Sequence, residues 1–249
     1  MKAILLSAGQ GSRLGWLTAD RPKCLLPIGS RTLIDWQLEA LKASGIDQVS
    51  VVVGFQASMM EDHLKKHDAP GFAVTPLFNP FYKVADNLGS CWLARAAMDD
   101  DFLIVNGDTL FEQRISQAVL ASPDAPITIT IDRKPAYDDD DMKVIEADGM
   151  LQAVGKTLNQ EEVNGESIGM LLFRGTGPRL FVDQVESMMR TPDGVQVWYL
   201  QSINRLAQTG VVRTVSIEGL PWGEVDFPPD LDSARELVQK WEPDHSPEV

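Results

Sequence analysis

Residues 2–14, KAILLSAGQGSRL, decide the fold of this chain. The apolar run that ends at Ser7 is typical of a buried strand in a parallel sheet. Gly9 and Gly11 then allow backbone conformations and close approaches that a Cβ atom would forbid. Backbone N–H groups between a strand and a helical turn form a site for anions, and Arg13 adds a forked cation that suits phosphate oxygens. The stretch therefore predicts a phosphate-binding loop after the first strand.

Strands and helices alternate outward from this loop through the first 110 residues. Apolar residues recur at helical spacing after Leu33, and Gly45 is a plausible end for that helix. Such alternation predicts an α/β protein with a parallel, doubly wound sheet. The predicted strands are 1–7, 49–53, 74–78 and 102–106, and the predicted helices are 33–44, 57–67 and 90–98.

The second half of the chain has a different pattern. Short β-rich segments joined by turn residues predict an antiparallel portion that continues the sheet; they are 127–132, 142–147, 151–155 and 167–173. Helices at 177–189 and 198–208, a strand at 211–216 and a last helix at 231–241 follow. With no repeat or linker, we predict a single domain over 1–242, divided into halves 1–112 and 113–242, and a flexible tail at 243–249.

The composition excludes several classes of protein. A formal net charge of −14 disfavours a non-specific nucleic-acid binder and docking on an anionic membrane. Two cysteines are too few for a disulfide framework, and no apolar run approaches the roughly 20 residues that span a bilayer. The first residues reach glycine too early for a secretory signal. We therefore expect a cytoplasmic protein without nucleic-acid or membrane partners.

Two familiar phosphate-binding motifs do not fit the sequence. The dinucleotide pattern G-x-G-x-x-G requires glycine where Leu14 stands. The P-loop pattern is nearly imitated by Gly149, Gly155, Lys156 and Thr157, but five residues separate the glycines instead of four. The loop after the first strand therefore belongs to another class.

The pattern that remains is L-x-A-G-x-G-x-R-L at 6–14, P-K-x-L-L-P at 22–27 and L-I-D-W at 33–36. It closely resembles the nucleotidyltransferases that make activated sugars and alcohols from a nucleoside triphosphate and a phosphate monoester. The resemblance implies a mostly parallel, Rossmann-like sheet with an antiparallel extension, the nucleotidyltransferase type A fold. It also implies that the loop wraps the triphosphate and that Arg13 and Lys23 hold it as catalytic residues. The predicted nucleotide-binding residues are Leu6, Ala8, Gly9, Gly11, Ser12, Arg13, Lys23, Asn87, Ser90 and Asp108.

Two carboxylate motifs predict a magnesium site. Asp108 follows the buried run 102–106, so its carboxylate lies at the carboxyl edge of the sheet, where phosphate chemistry needs a hard oxygen ligand for Mg²⁺. Alternation along an extended segment points Glu224 and Asp226 to the same side, and two such carboxylates repel each other unless a cation separates them. The motif W-G-E-V-D at 222–226 resembles an element of cytidylyltransferases that act on phosphocholine and related phosphonates. The resemblance implies Mg²⁺ as cofactor on Asp108, Asp226 and Glu224.

Weaker elements indicate the acceptor site. The segment 79–90 resembles the part of the family that lies near the base and the acceptor; Asn87 and Ser90 can face a pyrimidine edge or cap the next helix. Lys143 and Lys156, on neighbouring predicted strands, resemble positions where a lysine meets the acceptor phosphate, or they face solvent. The predicted acceptor-binding residues are Tyr82, Asp86, Lys143, Lys156, Glu166 and Trp222.

Together these resemblances imply an enzyme that transfers CMP from CTP to a small phosphorylated or phosphonate acceptor such as phosphocholine and releases pyrophosphate. One alternative is a sugar-1-phosphate nucleotidyltransferase that uses UTP or another nucleoside triphosphate. Amino-acid phosphates and inositol phosphate are two further acceptor classes that fit the sequence. A second alternative is a catalytically silent sensor of nucleotides. The sequence does not reveal the oligomeric state, and a homodimer is compatible with it.

The histidines suggest no site. His63 and His67 are four residues apart on a predicted helix, a spacing that can bind zinc. The sequence places no third ligand near them, so it does not predict a zinc site.

Overall fold

The computed structural model describes residues 1–241, so the predicted tail at 243–249 lies outside the described residues. Its strands are β1 (Lys2–Ser7), β2 (Pro27–Ile28), β3 (Arg31–Thr32), β4 (Gln48–Val53), β5 (Ala73–Phe78), β6 (Phe102–Asn106), β7 (Thr109–Phe111), β8 (Ile127–Asp132), β9 (Lys143–Ala147), β10 (Met150–Gly155), β11 (Gly165–Phe173), β12 (Val212–Ser216) and β13 (Trp222–Glu224). Its α-helices are α1 (Leu33–Ala43), α2 (Ala57–Leu64), α3 (Asn87–Ala94), α4 (Gln113–Leu120), α5 (Gly177–Met189), α6 (Tyr199–Ala207) and α7 (Pro228–Gln239).

Nine strands from both halves of the chain form one mixed sheet, in the order β5-β4-β1-β6-β11-β8-β12-β10-β9. Strands β5, β4, β1 and β6 are parallel, and β11 runs antiparallel between β6 and β8. The chain leaves β1 to build one side of the sheet and returns to the other side at β6. Ligands of open α/β sheets bind at such a switch point, outside the carboxyl ends of the strands. The predicted Rossmann-like sheet with an antiparallel extension is confirmed.

Helices cover both faces of the sheet because successive residues of its central strands point to opposite sides. Ile4 of β1 packs in one apolar cluster with Leu88 of α3, Phe181 of α5 and Ile203 of α6. Leu5 packs in the other cluster, with side chains from α1, α2 and α4. Both strand residues are fully buried. The near-continuous apolar sequence of β1 reflects this burial on both faces.

Several features of the fold were not predicted. Helix α4 was missed, a 3-10 turn at Arg95–Ala97 follows α3, and α3 begins at Asn87 rather than at residue 90. More important for the site, β13 pairs antiparallel with β7, so that Glu224 lies opposite Thr109. This pairing brings the W-G-E-V-D motif beside the segment that carries Asp108. Among residues 1–241, no helix combines the length and apolar character that a membrane crossing requires.

Candidate active site

A cleft of about 460 Å³ opens at the carboxyl ends of β1 and β6. All the residues that the sequence assigned to the nucleotide line it, from Leu6 and the glycine loop to Ser90 and Asp108. The size falls in the range of small-molecule sites. The cleft therefore brings together loop, lysine and carboxylate motifs that are up to about 200 residues apart in the chain.

Two glycines make the close packing of this cleft feasible. Gly11 has a φ of +76°, and a Cβ atom there would lie 2.7 Å from Cβ of Lys23. A Cβ atom on Gly107 would lie 2.6 Å from the carbonyl oxygen of Leu6. Side chains are excluded at both positions, which explains why the glycine loop can lie directly against Lys23 and why the end of β6 lies against β1.

Lys23 lies between the two predicted metal-binding aspartates. Its Nζ atom donates to Oδ2 of Asp108 at 2.9 Å and to Oδ1 of Asp226 at 2.6 Å. Burial by itself would lower the pKa of Lys23, but the two carboxylates outweigh it and raise that pKa. The lysine is therefore a fixed positive charge at the centre of the cleft.

Asp226 is positioned by the pairing of β13 with β7. The backbone N–H of Val225 donates to the carbonyl oxygen of Asp108 at 3.1 Å, and the backbone N–H of Asp226 donates to Oδ2 of Asp230 at 2.8 Å. Arg13 lies 3.2 Å from the Asp226 carboxylate. Although burial would raise the pKa of Asp226, Lys23 and Arg13 hold it below its ordinary value. This carboxylate is therefore ionised at neutral pH.

The carboxylates of Asp108, Asp226 and Glu224 suit a hard divalent cation. Within residues 1–241, Oδ1 of Asp108 is buried and has no hydrogen-bond partner. Desolvation by the surrounding protein and the negative charges of Asp108 and Asp226 raise the pKa of Glu224 to about 8, although Lys23 opposes the change. An added positive charge would satisfy the unpartnered oxygen and relieve the repulsion.

A second cleft, of about 390 Å³, shares Asp226 with the first. Lys134 lies at its wall and contacts the carboxylates of Asp141 and Glu166, each at 2.8 Å. Burial and the negative charge of Asp141 raise the pKa of Glu166 to about 7, although Lys134 opposes the change. The remaining lining residues are mostly acidic or aromatic: Asp138, Asp140, Trp222, Gly223, Glu224, Phe227 and Asp230.

Four of the six predicted acceptor-binding residues are divided between these two clefts. Tyr82 and Asp86 line the first cleft, beside the predicted nucleotide-binding residues. Glu166 and Trp222 line the second, where the Trp222 indole donates to Oδ2 of Asp132 at 2.7 Å. Lys156 lies where the clefts approach each other, with Nζ 5.4 Å from the Trp198 ring centre and 3.3 Å from the Asp140 carboxylate.

Lys143 departs from both sequence interpretations, because it neither lines a described cleft nor faces solvent. Its side chain is buried, and its ammonium group donates to the backbone carbonyls of Asp138 and Lys156. The cation is thus used to join the acidic turn 138–141 to the end of β10. Lys143 is therefore better described as a structural residue than as a contact for the acceptor.

Asn87 and Ser90 line the first cleft, but neither caps helix α3. The residue at the N-cap is Asp86, which makes no side-chain capping hydrogen bond. Oδ1 of Asn87 accepts from the backbone N–H of Tyr199 at 2.8 Å, and Oγ of Ser90 accepts from the Asn79 amide at 3.1 Å. Their donor atoms remain for a ligand.

Lys134 is a candidate site residue that the sequence analysis missed. It lies two residues after the end of β8, and its position near a strand end was the available signal. The sequence could not show which of the lysines near strand ends, Lys134 or Lys143, would face a cleft. That choice depends on how the turn 138–141 folds back over the sheet.

Comparison with known proteins identifies the family and supports the fold of this chain. Residues 2–159 match the family model described as nucleotidyl transferase. The CTP:phosphoglutamine cytidylyltransferase of Campylobacter jejuni is 25% identical over 260 residues, which cover 93% of this chain and 98% of that protein. The choline-phosphate cytidylyltransferase of Streptococcus pneumoniae is 33% identical over 112 residues, 45% of this chain and 47% of that protein. The solved inositol-1-phosphate CTP transferase from T. maritima has the same fold, with a TM-score of 0.81 at 20% identity over 96% of this chain and 95% of that one. The chain belongs to the nucleotidyl transferase family.

Proposed function

We propose that this chain is a cytidylyltransferase that moves CMP from CTP to a small phosphorylated or phosphonate acceptor bearing an ammonium group. The observation that carries the proposal is the position of Asp226, which lines both clefts and binds Lys23. A group at this point can contact a triphosphate on one side and an acceptor on the other. Nucleotidyl transfer needs such a meeting point, because its two substrates react directly.

In the proposed reaction, most of the rate enhancement comes from positioning the substrates and neutralising their charge. An oxygen of the acceptor attacks the α-phosphorus of CTP, the bond from that phosphorus to the β-phosphate oxygen breaks, and pyrophosphate leaves. The attacking oxygen is already an anion, so no general base is required. The triphosphate binds against the glycine loop, which lines the cleft, and the positive charges of Lys23 and Arg13 neutralise it.

A divalent metal is part of this proposal, because the family generally uses one. Asp108, Asp226 and Glu224 would hold Mg²⁺, which supplies positive charge at the reacting phosphate when bound. The unpartnered Oδ1 of Asp108 supports this assignment. Lys23 forms ion pairs with both Asp108 and Asp226. A cation held by those carboxylates would leave the Lys23 ammonium group available to contact the triphosphate.

The first cleft supports a pyrimidine base near the start of α3. Because Oδ1 of Asn87 already accepts from Tyr199, its amide nitrogen is the atom left for a base carbonyl. The exocyclic amine of cytosine then requires a different acceptor, and the Asp86 carboxylate lines the same cleft. UTP would present a carbonyl to that carboxylate, so this arrangement favours CTP.

The second cleft supports an acceptor that carries positive charge. Seven carboxylate residues and one lysine line it, together with Trp222 and Phe227. An ammonium group fits carboxylates and aromatic faces. A sugar needs many directional polar partners for its hydroxyl groups, and Asn, Gln, Ser and Thr are absent from the described lining of this cleft. The names of two of the relatives, which refer to phosphoglutamine and choline phosphate, agree with this class.

Pyrophosphate release under matched conditions tests the proposal. Purified protein with Mg²⁺ is mixed with each of CTP, UTP, ATP and GTP, and with phosphocholine, 2-aminoethylphosphonate, phosphoglutamine, inositol 1-phosphate or glucose 1-phosphate. We expect kcat/KM to be highest for CTP with one of the three ammonium-bearing acceptors. A preference for glucose 1-phosphate would establish the sugar alternative, and nucleotide binding without release across a wide acceptor panel would indicate a silent sensor.

A further inference from the structure

Three potential metal ligands meet on the packed surfaces of α1 and α2. His63 lies in the last turn of α2, His67 lies just beyond it, and Asp35 lies in the first turn of α1. Nε2 of each histidine is 2.6 Å from Oδ1 of Asp35. The side chains are largely buried, with 14% to 18% of their surface exposed. The third ligand that the sequence did not place near the histidines is thus supplied by another helix.

The Asp35 carboxylate is held in position by its other oxygen. Oδ2 accepts from the backbone N–H of Thr32 at 3.0 Å and from its hydroxyl group at 2.6 Å. This capping box closes the start of α1 and leaves Oδ1 to face both imidazole rings. Ordered outer contacts of this kind orient the ligands of protein metal sites.

We propose that Asp35, His63 and His67 bind a divalent transition-metal ion such as Zn²⁺. Two imidazole nitrogens and one carboxylate oxygen, all within 4.8 Å of one another, form a donor set that suits zinc. A tetrahedral ion at about 2.0–2.1 Å from each atom separates neighbouring ligand atoms by about 3.3 Å. Each Nε2 atom needs to move away from Oδ1 of Asp35 by less than 1 Å to reach this separation, and water can take the remaining position.

This site is separate from the proposed magnesium site. None of the three ligands lines either described cleft, and they share no residue with Asp108, Asp226 and Glu224. The ligand chemistry also differs, because Mg²⁺ prefers oxygen ligands and keeps several waters, whereas imidazole nitrogen selects transition metals.

The ion would fix the position of α1, the helix that contacts the backbone of the active site. Asp35 belongs to α1, and the next turn of that helix carries Gln37. The Gln37 amide donates to the carbonyls of Asn106 and Thr109, both at 2.8 Å, on either side of Gly107 and Asp108. By linking α1 to α2, the metal ion would stabilise the helix that holds the backbone around Asp108. We therefore expect its main effect to be a higher melting temperature.

Metal binding to chelator-treated protein tests this proposal. With Mg²⁺ in excess to occupy the oxygen-rich site, Co²⁺ and Zn²⁺ are titrated and followed by visible absorption and calorimetry. We expect one equivalent of metal, a Co²⁺ spectrum that includes nitrogen ligands, and a melting temperature raised by about 5 °C or more at 100 times the dissociation constant of Zn²⁺. Absence of stoichiometric binding would overturn the proposal.

Variants locate the metal within the chain. His67 lies beyond the end of α2, so His67→Ala does not disturb the helix. We expect His67→Ala and His63→Ala each to weaken Zn²⁺ binding by roughly 100-fold or more. Circular dichroism in the absence of metal confirms that each variant is folded. The controls are His245→Ala, which removes the remaining histidine, and Asp226→Asn, which alters the magnesium site; both should bind Zn²⁺ normally. Binding that survives in both histidine variants, or that is lost in Asp226→Asn, contradicts the assignment.

Discussion

Lys23 contacts both aspartates of the proposed metal site, and this double contact makes it the most informative residue to change. Lys23→Met keeps most of the apolar stem and removes the charge that is proposed to neutralise the triphosphate. We expect kcat/KM to fall by about 10²-fold or more, equivalent to about 2.7 kcal/mol. Steady-state pyrophosphate release measures the change.

The control for this prediction is Lys66→Met, which removes an exposed ammonium group next to the end of α2. It should leave kcat/KM within about twofold of the unmodified protein, since surface substitutions of this kind have small effects. Turnover of Lys23→Met close to that of the control would show that Lys23 is not part of the catalytic machinery.

Asp108 and Asp226 should determine how much Mg²⁺ the enzyme needs. Asp108→Asn and Asp226→Asn each remove one anionic oxygen from the proposed magnesium site. We expect each variant to need a higher Mg²⁺ concentration for half-maximal activity, because hard cations bind charged oxygen most strongly. The measurement is activity against Mg²⁺ concentration, with EDTA as the zero point. Activity that persists after thorough chelation would remove the metal from the mechanism.

The glycine loop shows how one element depends on the packing of another. Gly11→Ala places a Cβ atom 2.7 Å from Cβ of Lys23, in addition to the strain of a positive φ. Gly15→Ala is a matched control, because Gly15 also has a positive φ, of +60°, but nothing lies within 4 Å of its added Cβ. We expect kcat/KM to be at least tenfold lower for Gly11→Ala, whereas Gly15→Ala should keep a kcat/KM close to that of the unmodified protein. Equal kcat/KM values would show that the contact with Lys23 does not matter.

Strand β11 carries a pH-dependent contribution to stability. Burial and Asp141 raise the pKa of Glu166 to about 7 in the folded protein, above the ordinary 4.5. The folded state therefore binds this proton more tightly, and the stabilisation present at low pH is lost as the pH rises through 7. The amide side chain of the Glu166→Gln variant cannot ionise, so this variant does not lose that stabilisation. From pH 5.5 to pH 8.5, its free energy of unfolding minus that of the unmodified protein should therefore increase by about 1–3 kcal/mol.

Urea unfolding of the ligand-free proteins at both pH values measures this difference. Glu162→Gln, on an exposed turn, is the control and should follow the unmodified protein at each pH. A stability difference for Glu166→Gln that is the same at pH 5.5 and 8.5 would contradict the assigned cause.

The elements differ in how well local sequence predicts them. Strands β1, β4 and β6 were recognisable because burial on both faces requires continuous apolar runs. Helix α4 spans only eight residues, too few for a clear helical period, and β7 and β13 have three residues each. Such short elements are stabilised by their neighbours, so their sequences alone carry little signal.

The whole molecule should unfold as one unit, since its sheet does not divide at residue 112. Strand β11 pairs with β6 from the first half and with β8 from the second, and β13 returns to pair with β7. We expect urea unfolding followed by tryptophan fluorescence and by far-UV circular dichroism to give the same midpoint. Residues 1–112 alone should fail to fold, because the edge of β6 is left unpaired. Two separate transitions would contradict the single domain predicted for 1–242.

By itself the sequence determined the family, the parallel part of the sheet and the motifs from which the site is proposed. These are local properties: apolar runs, glycines at fixed spacing, and a charged residue directly after a strand. Only the tertiary structure decided that Lys23 meets Asp226 across 203 residues, that Lys143 is buried while Lys134 faces the second cleft, and that Asp35 joins His63 and His67. The physical reason is that such contacts depend on strand order and helix packing, which follow from the burial of the whole core and not from any single segment.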